Sequence, residues 1–199
     1  MTRRMGKKKQ SICAGAILCW LWLVTAVSQA YQDGASFNYF HADTPLLITS
    51  CGQTPDAFTV SAAAKRIGLA HRYDDLIVAR DLIGFKTMII AMGASQKGLG
   101  EAGLTVSTEL SRVSALLAKA EREGIKVIAI HIGGEARRGG SSESFIDLVV
   151  QYAGCIIATS EGNKDGRFSV DAQKKGIPLY IMSQTKEIGA LLGQIFRIN

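Results

Sequence analysis

The segment His131–Ser144 brings a histidine, two glutamates, two arginines and four glycines into one loop. It reads His-Ile-Gly-Gly-Glu-Ala-Arg-Arg-Gly-Gly-Ser-Ser-Glu-Ser and follows the apolar run Ile125–Ile130. An apolar run of this kind predicts a buried strand, so the loop follows the carboxyl end of that strand. In open α/β sheets, ligands bind in the crevice outside the carboxyl ends of the strands. The pattern therefore locates a candidate site, although it does not define a reaction.

Continuous apolar segments alternate with amphipathic segments along the chain. Continuous rather than alternating apolarity is typical of strands that are buried on both faces. The predicted strands are Leu46–Ser50, Tyr73–Val78, Thr87–Met92, Ile125–Ile130, Cys155–Thr159 and Ile177–Met182. The predicted helices are Asp56–Ile67, Glu109–Glu123, Phe145–Tyr152, Val170–Lys175 and Glu187–Phe196, and several of them are followed by a glycine stop.

This alternation predicts an α/β fold with one doubly wound, mainly parallel sheet of five or six strands and helices on both faces. The architecture is flavodoxin-like or Rossmann-like. The link Ala79–Phe85 is too short for a crossover helix and predicts a single helical turn. We expect the strand order 2-1-3-4-5 with a sixth strand at the edge, which places the topological switch point between the first and third strands.

Residues 1–30 have the features of a secretory signal peptide. A basic start precedes the apolar run Ser11–Val27, and Ser28-Gln29-Ala30 is a small-x-small cleavage pattern. We predict an exported protein, with an uncleaved N-terminal membrane anchor as the alternative. Residues 31–44 are then a polar lead-in, and residues 45–199 form a single α/β domain.

The basic character of the chain comes mostly from this N-terminal segment. The whole chain has 23 Lys and Arg against 17 Asp and Glu. Residues 1–30 hold five of the bases and none of the acids, which leaves 18 against 17. The near-neutral remainder has no basic stripe and argues against nucleic-acid binding. Export also argues against nucleotide cofactors, and we expect no cofactor.

Five loops converge on the carboxyl edge under this strand order, and they are rich in glycine and small hydroxyl residues. Helix starts near Pro55 and Ser142 point free N–H groups at this edge, where an anion could bind. Arginine and lysine side chains could close on a carboxylate or phosphate. The candidate ligand-binding residues are Cys51, Gly52, Gln53, Ser95, Lys97, His131, Glu135, Arg137, Arg138 and Glu161.

A hydrolase is the alternative function. Cys51 or Ser50 could attack a substrate with His131 as the base, and Glu135 or Glu161 could orient the histidine. Cys51 lacks the tight glycine-flanked turn that is typical of such a nucleophile. A third hypothesis is a non-catalytic subunit of an envelope assembly.

Two further motifs and the cysteines favour structural roles. Gly98–Gly103 spells G-x-G-x-x-G but lies too far from its strand for a dinucleotide site, and we interpret it as a flexible loop. Glu161–Gly166 resembles half of a calcium loop, yet Ala172 stands where the bidentate acid belongs. No metal site is expected. Cys51 and Cys155 lie at opposite strand ends, which argues against a disulfide.

Several motifs together resemble a bacterial family of exported proteins of unknown function. The resemblance covers about Pro45–Phe196 and implies an α/β fold, but it supplies no activity and no catalytic residues. The motifs are Thr49–Asp56, Ser95–Gly100, His131–Gly139 and Glu161–Gly166. We therefore expect a one-lobed domain that binds a small polar or anionic ligand, with a possible homodimer or membrane-protein partner to complete the closure.

Overall fold

Six parallel strands form one sheet in the computed structural model, which describes residues 40–198. The strands are β1 (Leu46–Cys51), β2 (His71–Tyr73), β3 (Thr87–Met92), β4 (Lys126–His131), β5 (Cys155–Thr159) and β6 (Leu179–Met182). Their order is β2-β1-β3-β4-β5-β6, and every neighbouring pair is parallel. The predicted fold class and strand order are confirmed. The predicted signal peptide lies outside the described residues.

Helices cover both faces of the sheet. They are α1 (Asp56–Arg66), α2 (Gln96–Glu101), α3 (Val106–Arg122), α4 (Ser141–Tyr152), α5 (Arg167–Lys175) and α6 (Ile188–Phe196). Residues of α1 and α6 pack in the core on one face, and residues of α3, α4 and α5 pack in the core on the other. A 3-10 turn at Ala79–Asp81 supplies the single helical turn predicted between β2 and β3. Within residues 40–198, no helix has the length and apolarity needed to cross a membrane.

The central strands are apolar along their whole length because they are covered on both sides. Every residue of β1, β3 and β5 is buried. Alternate residues serve the two cores, so that Leu47 and Met88 face α3 while Ile48 and Ile89 face α1. Complete burial of a side chain of this size stabilises the folded state by about 1.5–3 kcal/mol, because apolar surface is removed from water.

Strand β2 lies earlier than the predicted segment Tyr73–Val78. Only His71–Tyr73 pairs with β1, and the N–H of Asp74 makes the last bond, to the Ile48 carbonyl. The Asp74 carboxylate then accepts from the N–H of Leu76, a local turn that ends the strand. The segment after Tyr73 therefore belongs to a turn and a link, in which Leu76 is exposed and Ile77 is buried.

Three helices, α3, α4 and α5, begin before their predicted starts. Helix α3 begins at Val106 because Thr105 and Thr108 form a reciprocal capping box. The segment interpreted as a flexible loop is partly helical: Ser95 accepts from the N–H of Gly98 and starts α2. The interpretation of Gly98–Gly103 as a flexible loop is wrong, because the Ser95 cap starts a short helix that extends to Glu101.

Glu109 and Arg112 form a buried ion pair in the first turns of α3. Glu109 is fully buried, the Arg112 side chain is 8% exposed, and Nε of the arginine lies 2.7 Å from Oε2 of the glutamate. The second carboxylate oxygen accepts from the N–H of Gly52 at 3.0 Å and from Nε2 of Gln53 at 3.1 Å. The ion pair therefore fixes the loop that follows β1.

The guanidinium of Arg112 also binds the backbone around this loop. It donates to the carbonyl oxygens of Ser50 and Ile77, at 2.8 and 2.7 Å. Three separate segments, namely the end of β1, the β2–β3 link and α3, thus meet on one pair of charges. Buried charges cost little only when hydrogen bonds satisfy them in this way.

We expect Glu109→Gln to lower the free energy of unfolding by about 3 kcal/mol, since it leaves the Arg112 cation buried without a counterion. The matched control is Glu123→Gln, which breaks the partly exposed pair with Lys119 at the other end of the same helix. That change should cost less than about 1 kcal/mol. Denaturant unfolding measures both, and equal losses would contradict the role assigned to the buried pair.

Candidate functional site

A groove of about 590 Å³ opens at the carboxyl edge of the sheet, beside the ends of β1 and β3. One wall is the β1–α1 loop with Gln53, Thr54 and the first turn of α1. The facing wall is α2, with Ser95 at its start. The segment after β2 closes the outer end. This switch-point groove lies where doubly wound folds bind their ligands, and the sequence places Gln53, Ser95 and Lys97 there.

Gln53 forms the floor of the switch-point groove in a fixed conformation. Its backbone φ is +55°, a left-handed value that few residues other than glycine adopt. Its side-chain NH₂ donates to the Asp75 carbonyl oxygen and to the Glu109 carboxylate. Its amide oxygen accepts no hydrogen bond from the described residues. The floor therefore presents an immobilised, unused acceptor.

Gly98 allows α2 to lie directly against this floor. A Cβ atom at Gly98 would overlap the carbonyl oxygen of Gln53, whereas one at Gly100 would meet nothing within 4 Å. The groove wall is therefore in backbone contact with the floor only because position 98 has no side chain.

The charges around the switch-point groove are of both signs. Lys97 and Glu101 form an exposed pair on α2, with 3.7 Å between nitrogen and oxygen. The Asp75 carboxylate accepts from the Tyr73 hydroxyl at 3.3 Å. Burial, with Asp75 nearby, raises the pKa of Tyr73 to about 12. The phenol is therefore a neutral donor at physiological pH.

A second, smaller depression of about 340 Å³ lies after β4 and β5, and Glu135, Arg138 and Glu161 line it. Arg138 is occupied by the protein itself. It donates to the carboxylates of Glu143 and Asp165 and to the Gly162 carbonyl, and it lies 5.2 Å from the Phe168 ring centroid. These contacts do not leave Arg138 free for a ligand anion.

Arg137 lies between the two cavities. Its side chain runs beside Gly93 and Gly133, where a Cβ atom would be in contact with it. One guanidinium nitrogen donates to the Ala94 carbonyl at 3.3 Å, and Nε lies 3.9 Å from the Asp56 carboxylate. Two adjacent arginines of the same loop thus differ: Arg138 is fully engaged and Arg137 keeps unused donors.

Cys51 and His131 are not arranged for nucleophilic catalysis. Burial raises the pKa of the Cys51 thiol well above its ordinary value, with a smaller contribution from the nearby Glu109 carboxylate, and Sγ donates to the Phe145 carbonyl. Strand β3 separates β1 from β4, so the two backbones lie roughly 10 Å apart. Among the described residues, no hydrogen bond joins the thiol to the imidazole.

His131 contacts the end of the neighbouring strand β3 and the loop that follows its own strand, β4. Nδ1 lies 3.0 Å from the Met92 carbonyl oxygen and Nε2 lies 3.1 Å from the Gly134 carbonyl oxygen. Both ring nitrogens therefore face acceptors, and the ring packs against Phe168. Ser50, the other proposed nucleophile, is buried and its hydroxyl has no partner among the described residues. The proposed Ser50 or Cys51 nucleophile with a His131 base is not assembled.

Gly52 and the two cysteines, which the sequence also singled out, do not line the switch-point groove. Gly52 is buried beside Gly93, and its N–H donates to the Glu109 carboxylate. Cys51 and Cys155 are both free and buried. Within residues 40–198, no group of three or more His, Cys, Asp or Glu residues is placed to hold a metal ion.

Sequence reasoning missed the outer end of the switch-point groove, where Phe58, Tyr73 and Leu76 are exposed. One signal was available, because Phe58 lies off the buried stripe of α1 formed by Ala57, Val60, Ala63 and Ala64. It also missed the role of the Glu109–Arg112 pair, since nothing in the local pattern of an amphipathic helix reveals that these two side chains bind the distant loop after β1.

We expect Gly98→Ala to destabilise the fold by about 1–3 kcal/mol, because the new methyl group forces α2 away from Gln53. Gly100→Ala in the same helix is the control, and it should be neutral or slightly stabilising, since alanine favours helix. Thermal or denaturant unfolding distinguishes them. Equal stability of the two variants would show that the close packing of α2 on the floor is not required.

We also expect Glu143→Gln to weaken the fold in a pH-dependent way. Burial raises the pKa of Glu143, but hydrogen bonds from Arg138 and from the Gly139 N–H, with the charge of Arg167, outweigh it and leave the pKa below the ordinary 4.5. A folded-state pKa below the unfolded value means stability that is present above about pH 5 and is lost as the pH falls through the folded-state pKa.

The stability difference between wild type and Glu143→Gln should therefore be largest at neutral pH and shrink on acidification to about pH 3. Denaturant unfolding at the two pH values measures it. Glu121→Gln, at an exposed glutamate with no ion pair among the described residues, is the control and should show no such change. A difference for Glu143→Gln that is constant with pH would refute the assignment.

Comparison with known proteins gives a family without an activity. No curated protein matches the chain. Among solved structures, the chain is similar to a GDSL-like lipase from Bacteroides thetaiotaomicron, at 12% identity and a TM-score of 0.38, with 87% of this chain and 95% of that chain covered. A likeness this distant carries no argument about activity. The model of the family described as a domain of unknown function (DUF6305) matches residues 43–196. The motifs predicted a family of unknown function, and that part of the prediction is confirmed. The chain belongs to the DUF6305 family.

Proposed function

We propose that this domain binds a small polar ligand in the switch-point groove. The observation that supports this proposal is the position and construction of the groove. It lies beside the ends of β1 and β3, over a floor that is fixed by buried charges. A concave site with a few immobilised polar groups is the usual form of a small-molecule site. Because internal hydrogen bonds already fix the floor, a ligand would not have to order it.

Binding is favoured over catalysis by the condition of the reactive side chains. The Cys51 thiol is buried with a raised pKa, and both nitrogens of His131 face backbone carbonyls. Neither residue lines the switch-point groove. The groove itself offers an amide, hydroxyl groups and charges, which recognise a ligand.

Export and partners stay predictions. If residues 1–30 direct export, the groove meets solutes outside the cytoplasm. The groove is open on one side of a single domain, so a second copy of the chain or a membrane protein would complete the enclosure around the ligand.

The proposal is tested by thermal shift across a panel of small cationic, neutral and anionic polar compounds. A ligand at about 100 times its Kd adds about 2.7 kcal/mol to the stability of the folded state, which raises Tm by roughly 5–10 °C for a domain of this size. Ala102→Trp, which fills the groove from its α2 wall, should abolish the shift.

The control is Ala136→Trp, the same substitution on the exposed turn after β4, outside the switch-point groove. It should leave the shift intact. A panel without any active compound, or an active compound whose shift survives Ala102→Trp, would overturn the proposal.

A further inference from the structure

We propose that the ligand of the switch-point groove carries an organic ammonium group beside an apolar group. This inference rests on the proposed function and adds the chemical class of the ligand. It is carried by an exposed aromatic corner, by hydrogen-bond acceptors that the protein leaves unused, and by the charge that remains unpaired in the groove.

The aromatic corner is formed by Phe58 and Tyr73. Their ring centroids lie 6.1 Å apart with an interplanar angle of 71°, and the two side chains are 63% and 37% exposed. Leu76, at 45% exposed, lines the same groove. Exposed apolar side chains that cluster in one concavity mark a binding surface. The faces of aromatic rings attract cations, especially ammonium groups.

Unused acceptors lie beside this corner. The Asp75 carboxylate forms no ion pair among the described residues, and its side-chain contact there is the Tyr73 hydroxyl at 3.3 Å. The Gln53 amide oxygen on the floor likewise accepts nothing from these residues. An ammonium group has three N–H donors, and the acceptors of Asp75 and Gln53 belong to residues that line the same groove as the two rings.

The unpaired charge of the groove is negative. Lys97 is paired with Glu101, and both side chains are mostly exposed to solvent. Asp75 has no cationic partner among the described residues. Neighbouring Asp74 is already paired with Arg72, with 2.6 Å between the charged atoms. A cation in the groove would therefore gain a counterion, whereas an anion would meet an uncompensated carboxylate.

The start of α1, which the sequence suggested for an anion, is already used. Thr54 accepts from the N–H of Asp56 through its hydroxyl and from the N–H of Ala57 through its carbonyl. Asp56 adds a carboxylate to this first turn and lies near Arg137 instead. For this groove, a cationic ligand fits better than the anion predicted from the loops.

The test uses three probes of the same shape and different charge: benzylammonium, benzyl alcohol and benzoate, at neutral pH. Calorimetric titration of the whole chain should give benzylammonium the highest affinity, by roughly tenfold over the other two. Asp75→Asn should remove most of that preference and leave benzyl alcohol binding unchanged. Phe58→Ala should weaken all ring-bearing probes that bind.

Asp74→Asn is the matched control, because it neutralises the adjacent aspartate and an asparagine can keep the turn to Leu76. It should leave the preference for benzylammonium intact. Benzyl alcohol or benzoate binding as tightly as benzylammonium would overturn the inference, and so would failure of all three probes, while another panel compound blocked by Ala102→Trp would keep the proposed function. Benzylammonium binding that survives Ala102→Trp would overturn both.

Discussion

The buried contact between Glu109 and Arg112 is the constraint on which the candidate site depends. The loop after β1 must turn sharply at Gly52 and Gln53, and both take left-handed backbone values. Such a turn carries strain at a residue with a side chain. The glutamate compensates by accepting from the backbone N–H of one residue and the side chain of the other. Arg112 in turn neutralises the glutamate and binds the carbonyl that precedes the turn. Glu109 therefore supplies two of the hydrogen bonds that hold the groove floor in this shape.

The same principle explains why the carboxyl edge divides into two regions. Around β4 and β5, the polar groups satisfy one another, as the network of Arg138, Glu143, Asp165 and Arg167 shows. That network ties α4 and α5 to the loops and is structural. Around β1 and β3, hydrogen bonds to the buried Glu109 fix Gly52 and Gln53. The Gln53 amide oxygen accepts no hydrogen bond from the described residues. Available hydrogen-bonding capacity, rather than the number of charged residues, therefore distinguishes the groove proposed for binding from the structural network.

Much of the fold was predictable because the central strands are covered on both faces. Runs such as Thr87–Met92 are apolar throughout for that reason, and the glycine stops and short links then allow few topologies. Strand β2 was misplaced because it is an edge strand of three residues, and its side chains are largely exposed. Its position is set by pairing with β1 and by the turn at Asp74, and apolarity alone does not show either.

The position of the groove was predictable, but its lining was predictable only in part. The rule about carboxyl ends points to this edge of the sheet, and Gln53, Ser95 and Lys97 line the groove that lies there. His131 and Arg138 were chosen for their chemistry, yet each has partners that are remote in sequence, at Met92 and Asp165. Conversely, the sequence analysis placed both Tyr73 and Asp75 in one predicted strand, Tyr73–Val78, and assigned neither of them to the site. Whether a polar group is hydrogen-bonded within the fold depends on residues that are distant in the sequence, and a local pattern does not show them.

Binding in the switch-point groove can be observed residue by residue in a ¹H–¹⁵N spectrum of the labelled protein during titration with benzylammonium. We expect the amide signals of Gln53, Ser95 and Gly98 to move together along one saturating curve, while those of Gly134 and Gly162 beside the smaller depression stay fixed. Shifts centred on Gly134 and Gly162, or no saturable shift at Gln53, would contradict binding in this groove.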